Sequence, residues 1–206
     1  MAKLDDGTPP PGEPLRNWVD RWPADDPPGG RAGAAVTIVL RNGRRDAEVL
    51  LIERTVRDND LASGQVALPG GRTEPEDATM GTTALRELSE EVGLGPGDVE
   101  LPLRLVGVAR ADLFGLDVAV FAARLSSTPA PVVPSPNEVA HVFWLPASAL
   151  TRVEPVERMT TKGPLEVPAV VHQGHVLWGF TLRILRDFFR EPQHEGGSAR
   201  EGPASP

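Results

Sequence analysis

The chain has 206 residues, 40% of them hydrophobic, and it contains no cysteine. This hydrophobic fraction suffices for the core of one domain, and the lack of cysteine excludes disulfides and thiolate metal sites. With 21 basic against 29 acidic residues the net charge is −8, which argues against sequence-independent binding of nucleic acid, because such binding needs a basic surface. A small phosphorylated ligand stays open, since a bound cation can reverse the local charge.

Both ends of the chain have a composition that differs from that of a folded core. We predict three segments: an N-terminal arm rich in Pro, Gly and Asp over 1–33, one folded domain over 34–191, and a disordered tail over 192–206. We favour a mobile arm. The alternative is a short amphipathic turn, carried by Trp18, Val19 and Trp22, that docks on the domain.

The expected location is the cytoplasm, with no membrane partner. No apolar run reaches the roughly 18 residues of a spanning helix. The first residues, MAKLDDGTPPPGEP, lack the apolar stretch of a signal peptide.

In chain order, the folded part shows several strands, one central helix and one terminal helix. Strands are predicted at 34–41, 47–54, 65–71, 99–109, 116–125 and 138–145, with a hairpin over 165–178. Asn42-Gly43 is a turn signal between the first two strands. Helical patterns cover 77–92, which Gly93 would end, and 179–190. The fold class is therefore α/β or α+β.

Three glutamates stand on one face of the central helix. Glu87, Glu90 and Glu91 have the spacing i, i+3 and i+4, so their carboxylates project together. Alone, this pattern is more often a solvated acidic face than a metal site. As ligands, carboxylates without His or Cys favour Mg²⁺ or Mn²⁺ over Zn²⁺. Upstream, Pro69-Gly70-Gly71 predicts a sharp turn, and a main-chain carbonyl there, at Gly71, would add an oxygen ligand.

Together, the glycine turn and the helix closely resemble the signature box of the Nudix hydrolases, which joins a Gly-rich loop to a helix in diphosphate-cleaving enzymes. The matching positions are Gly71, Asp77 five residues later, and the run Arg86-Glu87-Leu88-x-Glu90-Glu91-x-Gly93-Leu94. The usual box has Glu where Asp77 stands and one residue fewer before the Arg. Both departures match the coenzyme A diphosphatase subgroup.

Further segments are similar to that subgroup. They are Leu50-Leu51-x-x-Arg54, Gly64-Gln65-Val66-Ala67-Leu68-Pro69-Gly70-Gly71, Pro136-Asn137-Glu138-Val139 and Trp178-Gly179-Phe180-Thr181. In the first segment Ile52 replaces a Thr of the subgroup pattern, Thr55 replaces a Ser, and no His precedes Gly64. The resemblance covers roughly residues 34–190.

The resemblance implies a Nudix-like mixed β-sheet sandwiched between helices, and a Mg²⁺ (or Mn²⁺) cofactor. It implies that the metal ligands are Glu87, Glu90, Glu91 and the carbonyl of Gly71. The same glutamates count as catalytic residues, because the metal they hold acts on the diphosphate.

Four further residues receive expected roles from the same resemblance. Arg86 would pair with an acid of the box and orient the helix, with an ordinary surface ion pair as its alternative. Glu138 would activate the attacking water, although an ordinary exposed Glu at a strand start fits its position equally well. Arg54 and Arg72 would contact substrate phosphates, and a solvated Arg is the alternative for each.

Three functions follow, and all assume a small nucleotide-like partner. The first is cleavage of coenzyme A or an acyl-coenzyme A into a 4′-phosphopantetheine product and adenosine 3′,5′-bisphosphate. The second acts on ADP-ribose, a dinucleotide or a nucleoside triphosphate. The third is a catalytically silent nucleotide-binding module, against which the intact Arg-Glu-x-x-Glu-Glu set argues. Monomer and homodimer both stay open.

Overall fold

The computed structural model describes residues 19–24, 32–43, 46–57, 63–126, 137–160 and 163–190. The predictions for Trp18, for Pro136 and for the tail over 192–206 concern residues outside these ranges. The same holds for the predicted arm, apart from its residues 19–24 and 32–33.

Among the described residues, ten strands form two sheets. The larger sheet contains β1 (Ala34–Asn42), β2 (Ala47–Arg54), β3 (Val66–Ala67), β4 (Gly70–Arg72), β5 (Arg104–Ala111), β6 (Leu116–Arg124) and β7 (Val139–Pro146), and the smaller contains β8 (Glu154–Thr160), β9 (Gly163–His172) and β10 (His175–Trp178). The larger sheet has the order β3-β2-β1-β6-β5, with β4 paired to β1 and β7 paired to β2. Because β1 is parallel to β6 and antiparallel to β2 and β4, the sheet is mixed.

In the described part of the chain, the helices that accompany the sheets are α1 (Met80–Val92) and α2 (Gly179–Phe189). At the start of α1, the Thr79 hydroxyl accepts a hydrogen bond from the main-chain N–H of Thr82. At its end, Gly93 has φ 70° and its N–H donates to the carbonyls of Leu88 and Ser89. The helix therefore ends where the sequence predicts, but it begins at Met80, later than the predicted Asp77. Two short 3₁₀ helices cover Asp112–Phe114 and Ala147–Thr151.

The larger sheet lies between the two helices. Successive side chains of β1 point to opposite faces. Ile38 and Leu40 pack in one apolar cluster with the buried side of α2, and Ala35 and Val39 pack in another with the buried side of α1. The mixed α+β class is thereby confirmed, with the sheet between helices. In the described part of the chain, no helix is long and apolar enough to cross a membrane.

Several predicted strand bounds were wrong. The strand predicted over 65–71 is two short strands, β3 and β4, with Leu68-Pro69 between them. The strand predicted over 99–109 begins only at Arg104. Strand β8 was missed, because its sequence EPVERMT contains three charged residues and a Pro in place of an apolar alternation.

Residues 19–24 pack on the domain. Val19 is buried in the α2-side cluster, and the ring of Trp22 stacks on Phe188 with 6.2 Å between centroids. The carbonyl of Pro23 accepts a hydrogen bond from the N–H of Leu105 on β5. For these described residues the docked alternative is the one observed, although we favoured the mobile arm.

Candidate active site

Strand β4 brings the glycine turn against the last turn of α1. Gly70 has φ 151°, and a Cβ at this position would lie 2.2 Å from the carbonyl oxygen of Ala35, so only glycine fits. The N–H of Gly70 donates to Oε2 of Glu91 at 2.9 Å. The close approach of the turn to β1 thus places a main-chain donor on a carboxylate of the helix.

Gly71 lies directly against the carboxylate of Glu87. A Cβ at Gly71 would lie 2.3 Å from Oε1 of Glu87, which is far inside van der Waals contact. The missing side chain therefore provides the space that Glu87 occupies. Turn and helix form one unit, as the spacing of the sequence motif predicts.

Arg86 links the loop before α1 to the acidic face of the helix. Its guanidinium donates to both carboxylate oxygens of Asp77, at 3.2 and 3.1 Å. It also donates to Glu87 at 3.0 Å, to Glu90 at 2.9 Å and to the main-chain carbonyl of Arg72 at 2.9 Å. A planar guanidinium can satisfy this many acceptors at once, whereas an ammonium cannot.

Asp77 is the anchor of this network. Its carboxylate is only 4% exposed and also accepts hydrogen bonds from the hydroxyl of Thr83 and the N–H of Glu74. The hydrogen bonds from Arg86, assisted by these donors, lower the pKa of Asp77 to about 2 despite its burial. In return, the hydrogen bond to Asp77 raises the pKa of Arg86 above its usual value. The pair is therefore charged at every pH at which the protein would be used.

The three glutamates lie in different environments. The side chain of Glu91 is 3% exposed, that of Glu87 12% and that of Glu90 51%. The spacing places all three on one face of the helix, yet the side chain of Glu91 is buried there. Helix periodicity fixes the face of a residue but not what covers that face, and here the Gly70 turn covers Glu91.

Burial raises the pKa of Glu91 to about 7, although the Gly70 N–H and the guanidinium of Arg54 act in the opposite direction. The negative charges of Glu87 and Glu138 raise it further. Burial likewise raises the pKa of Glu87, and this effect outweighs the opposing charge of Arg86. Two carboxylates are thus held close together in a partly buried place without full compensation of their charge.

Two residues predicted from other parts of the chain lie near this cluster. Arg54, at the end of β2, lies with Nη1 3.7 Å from Oε1 of Glu91. Glu138 acts electrostatically on both Glu87 and Glu91, and its main-chain carbonyl accepts a hydrogen bond from the N–H of Thr55. Both are therefore part of the same site.

The side chain of Arg72 is exposed, and only its carbonyl enters the network, through Arg86. The phosphate contact predicted for Arg72 has no counterpart in these contacts and stays a prediction.

The residues fit a hard divalent cation by their chemistry. Within the described segments, no three His, Cys, Asp or Glu side chains are already arranged as a complete metal site. Glu87 and Glu91 nevertheless offer oxygen ligands, and burial raises the pKa values of both carboxyls. A divalent cation held by these carboxylates would offset the cost of burying their charge.

Sequence reasoning missed a hydrogen-bonded His–Glu pair beside the site. Nδ1 of His175, at the start of β10, lies 2.6 Å from Oε2 of Glu53, and the imidazole stacks on Phe143 with 4.0 Å between centroids. Glu53 precedes Arg54 on β2, so the strand end contacts both the smaller sheet and the glutamates of α1. The two partners are far apart in sequence and belong to no local motif, so no sequence signal pointed to them.

Comparison with known proteins agrees with this geometry. Residues 31–162 match the NUDIX domain family. The chain is 33% identical over 171 residues to the "Uncharacterized Nudix hydrolase NudL" of Citrobacter koseri, an alignment that covers 76% of this chain and 81% of that protein. It is 29% identical over 187 residues to NudL of Pectobacterium atrosepticum, which covers 86% and 94%.

A plant relative is longer. The chain is 30% identical over 161 residues to "Nudix hydrolase 15, mitochondrial" of Arabidopsis thaliana, covering 74% of this chain and 55% of that protein. The chain thus spans about half the length of the Arabidopsis relative.

Among solved structures, a MutT NUDIX hydrolase from Burkholderia pseudomallei superposes with a TM-score of 0.49 at 16% identity, covering 76% of this chain and 95% of that one. A NUDIX hydrolase from Alicyclobacillus acidocaldarius gives 0.48 at 21% identity, covering 59% and 82%. The family assignment depends on the sequence matches. The chain belongs to the Nudix family and is a hydrolase of diphosphate linkages in nucleoside diphosphate derivatives.

Proposed function

We propose that the protein is a Mg²⁺- or Mn²⁺-dependent diphosphatase whose preferred substrate is coenzyme A or an acyl-coenzyme A. The observation that carries the catalytic part is the interlocking of the Gly70-Gly71 turn with Glu87 and Glu91, which joins main-chain groups and carboxylates in one place. An acidic face exposed to solvent would not require glycine at two neighbouring positions, because no loop would pack against its carboxylates.

Glu87, Glu90 and Glu91 would hold the metal, with the carbonyl of Gly71 as a further ligand. A bound divalent cation would neutralise charge on the diphosphate oxygens. Arg86 contributes by fixing the carboxylates of Glu87 and Glu90, and its own position is fixed by Asp77. Since the charged groups are positioned before substrate binds, little reorganisation is needed during the reaction.

Glu138 is our candidate for the residue that takes the proton of the attacking water. In the reaction, the water oxygen forms a new P–O bond, the bridging P–O bond breaks, and the water proton passes to the carboxylate. Support comes from the electrostatic proximity of Glu138 to Glu87 and Glu91, although it belongs to a different part of the chain. Arg54 and Arg72 would contact the phosphates, with Arg54 the better placed beside Glu91.

The choice of substrate is supported by sequence alone. The stretch Gly-Gln-Val-Ala-Leu-Pro-Gly-Gly over 64–71, with Asp77 and the lengthened box, resembles the coenzyme A subgroup. Ile52, Thr55 and the absence of the His depart from it. We also propose a cytoplasmic location. Both a monomer and a homodimer are compatible with this proposal.

The metal is tested by removing it. Chelation should abolish turnover, and Mg²⁺ or Mn²⁺ should restore it, because every proposed ligand is an oxygen. Recovery with Zn²⁺ alone would contradict the assignment.

The substrate is tested by comparing coenzyme A, acetyl-coenzyme A, ADP-ribose, NADH and dGTP with Mg²⁺, with product identification by mass. Coenzyme A or its acyl form should have the highest kcat/KM and yield adenosine 3′,5′-bisphosphate. The proposal is lost if ADP-ribose or a nucleoside triphosphate is turned over more than about tenfold better. In that case the diphosphatase assignment stands and only the substrate changes.

A further inference from the structure

A cavity of about 350 Å³ lies on the other side of the larger sheet, between α2 and β9, and is open to solvent. Its lining includes Pro168, Trp178 and Leu182, which we call its floor, and Arg183, Arg186 and Arg190, which we call its rim. Since α1 packs on the opposite face of that sheet, this α2 cavity is separate from the Glu87 and Glu91 cluster.

The rim of the α2 cavity is basic. Three arginines face a single acidic side chain, Asp187, whose nearest described cation is Arg190 at 3.6 Å. Arg183 donates to the carbonyl of Arg110 at 2.5 Å, and its guanidinium lies over the ring of Phe180. Since neither of these partners lines the cavity, the positive charge available there comes from Arg186 and Arg190. Arg186 is exposed and has no ion-pair partner among the described residues. In a chain with a net charge of −8, such a local excess of positive charge favours an anion.

The floor adds a flat aromatic surface. Trp178 lines the cavity, and the guanidinium of Arg158 lies 5.8 Å from the centre of its ring. The indole N–H is buried and has no hydrogen-bond acceptor in the described part of the chain.

A helix C-terminus offers a simpler explanation for part of this charge. Arg186 lies in the last turn of α2, where a cation interacts favourably with the helix dipole. The dipole does not account for the indole of Trp178 in the same cavity lining. An aromatic floor combined with a cationic rim matches a ligand that is planar at one end and anionic at the other.

We propose that the α2 cavity is a binding site for a nucleoside phosphate, with the base against Trp178 and the phosphates against Arg186 and Arg190. This inference does not depend on the proposed substrate or on the metal. A protein that acts on nucleotide derivatives would thereby bind a nucleotide at a place where no carboxylate cluster is available to cleave it.

The test is calorimetric titration of the full chain with ADP in excess EDTA, so that no turnover occurs. Adenosine and pyrophosphate are titrated separately to measure the two halves of the ligand. We expect saturable binding of ADP that is tighter than that of either half. Arg186→Gln should weaken it about tenfold, and the matched control Arg124→Gln, which removes an equal charge elsewhere, should change it less than about twofold.

Two further variants identify the place of binding. Trp178→Phe should weaken ADP more than pyrophosphate, and Arg54→Gln, which removes the cation beside Glu91, should leave ADP binding intact. The proposal is overturned if the metal-free protein binds no ADP up to about 5 mM, if Arg186→Gln binds as the natural chain does, or if pyrophosphate binds as tightly as ADP. Loss of binding in Arg54→Gln would assign the ADP to the α1 site and equally refute a second site.

Discussion

Side chains that share one helix face can have very different electrostatic surroundings. Glu91 is covered by the Gly70 turn, Glu87 lies against Gly71 and is largely buried, and Glu90 faces solvent. The i, i+3, i+4 spacing in the sequence located all three, but it gave no information about the loop that packs on them. The environment of each carboxylate therefore had to come from the structure.

Glu91→Gln should change turnover and stability in opposite directions at pH 8, lowering the turnover of the metal-loaded protein and raising the free energy of unfolding of the metal-free protein. Turnover should fall by about 10²-fold or more, because a charged metal ligand is lost. The folded-state pKa of Glu91 is raised, so the folded chain binds a proton more tightly than the unfolded chain. The stabilising contribution of Glu91 is then full below its ordinary pKa and is lost as the pH rises from 4.5 to about 7.

In the metal-free protein, the Gln variant should therefore be more stable than the natural chain at pH 8, and this advantage should vanish at pH 4.5. Gln also keeps an acceptor for the Gly70 N–H. Urea unfolding in EDTA at both values of pH measures the difference. If the difference in unfolding free energy between the two proteins is the same at pH 4.5 and pH 8, Glu91 is ionised at both values of pH and its charge is stabilised by neighbouring groups.

Gly71→Ala tests the fit of the turn around Glu87. A methyl group would lie 2.3 Å from the carboxylate and displace it, so activity should drop at least about tenfold with a stability loss of about 1 kcal/mol. Gly97→Ala is the matched control, since a Cβ there meets nothing within 4 Å. Comparable activity in both variants, measured as kcat with saturating metal, would contradict the role of Gly71.

At the scale of an element, α1 is held to the preceding loop mainly by Asp77 and Arg86. Asp77→Asn should reduce the free energy of unfolding by about 1–3 kcal/mol at pH 7, because it weakens charge-assisted hydrogen bonds in a nearly buried place. Asp117→Asn is the control, because its ion pair with Arg110 is about half exposed and should be worth less than about 0.5 kcal/mol.

The same pair has a defined pH dependence. The pKa of Asp77 is lowered from 3.8 to about 2, so its contribution is fully present above 3.8 and is lost as the pH falls toward 2. The stability gap between the natural chain and Asp77→Asn should therefore narrow over that range in denaturant titrations. If the difference in unfolding free energy stays constant over this pH range, the loss of stability in Asp77→Asn has a steric cause and does not come from the lost charge.

Elements with a clear periodicity were predictable from the sequence. The apolar runs of β1 and β2, the helical pattern ended by Gly93 and the amphipathic α2 all lie within a few residues of their predicted places. Strand β8 was not predictable by this criterion, since its stability comes from pairing with β9 and not from an apolar face. The start of α1 was displaced because Asp77 bonds to Arg86 instead of capping the helix.

At the scale of the whole molecule, residues 19–24 belong to the packed structure. Trp22→Ala should cost about 1–3 kcal/mol of unfolding free energy, since it removes a partly buried ring that stacks on Phe188. Leu113→Ala, at a side chain that is 62% exposed, should cost less than about 0.5 kcal/mol. Equal midpoints of thermal unfolding for both variants would show that the segment contributes nothing.

The parallel pairing of β1 with β6 has a consequence for how activity is acquired during folding. The ladder joins Ala34 to Val118 and Leu40 to Arg124, and the whole of α1 lies in the chain segment between them. Closing so long a loop is entropically costly, and ladders of this kind form late and slowly. Because the buried side of α1 shares an apolar cluster with Ala119 and Phe121 of β6, we expect the glutamates to reach their places only when this closure is complete. During refolding from denaturant, helical signal should precede the return of turnover, and no fragment ending before β6 should be active.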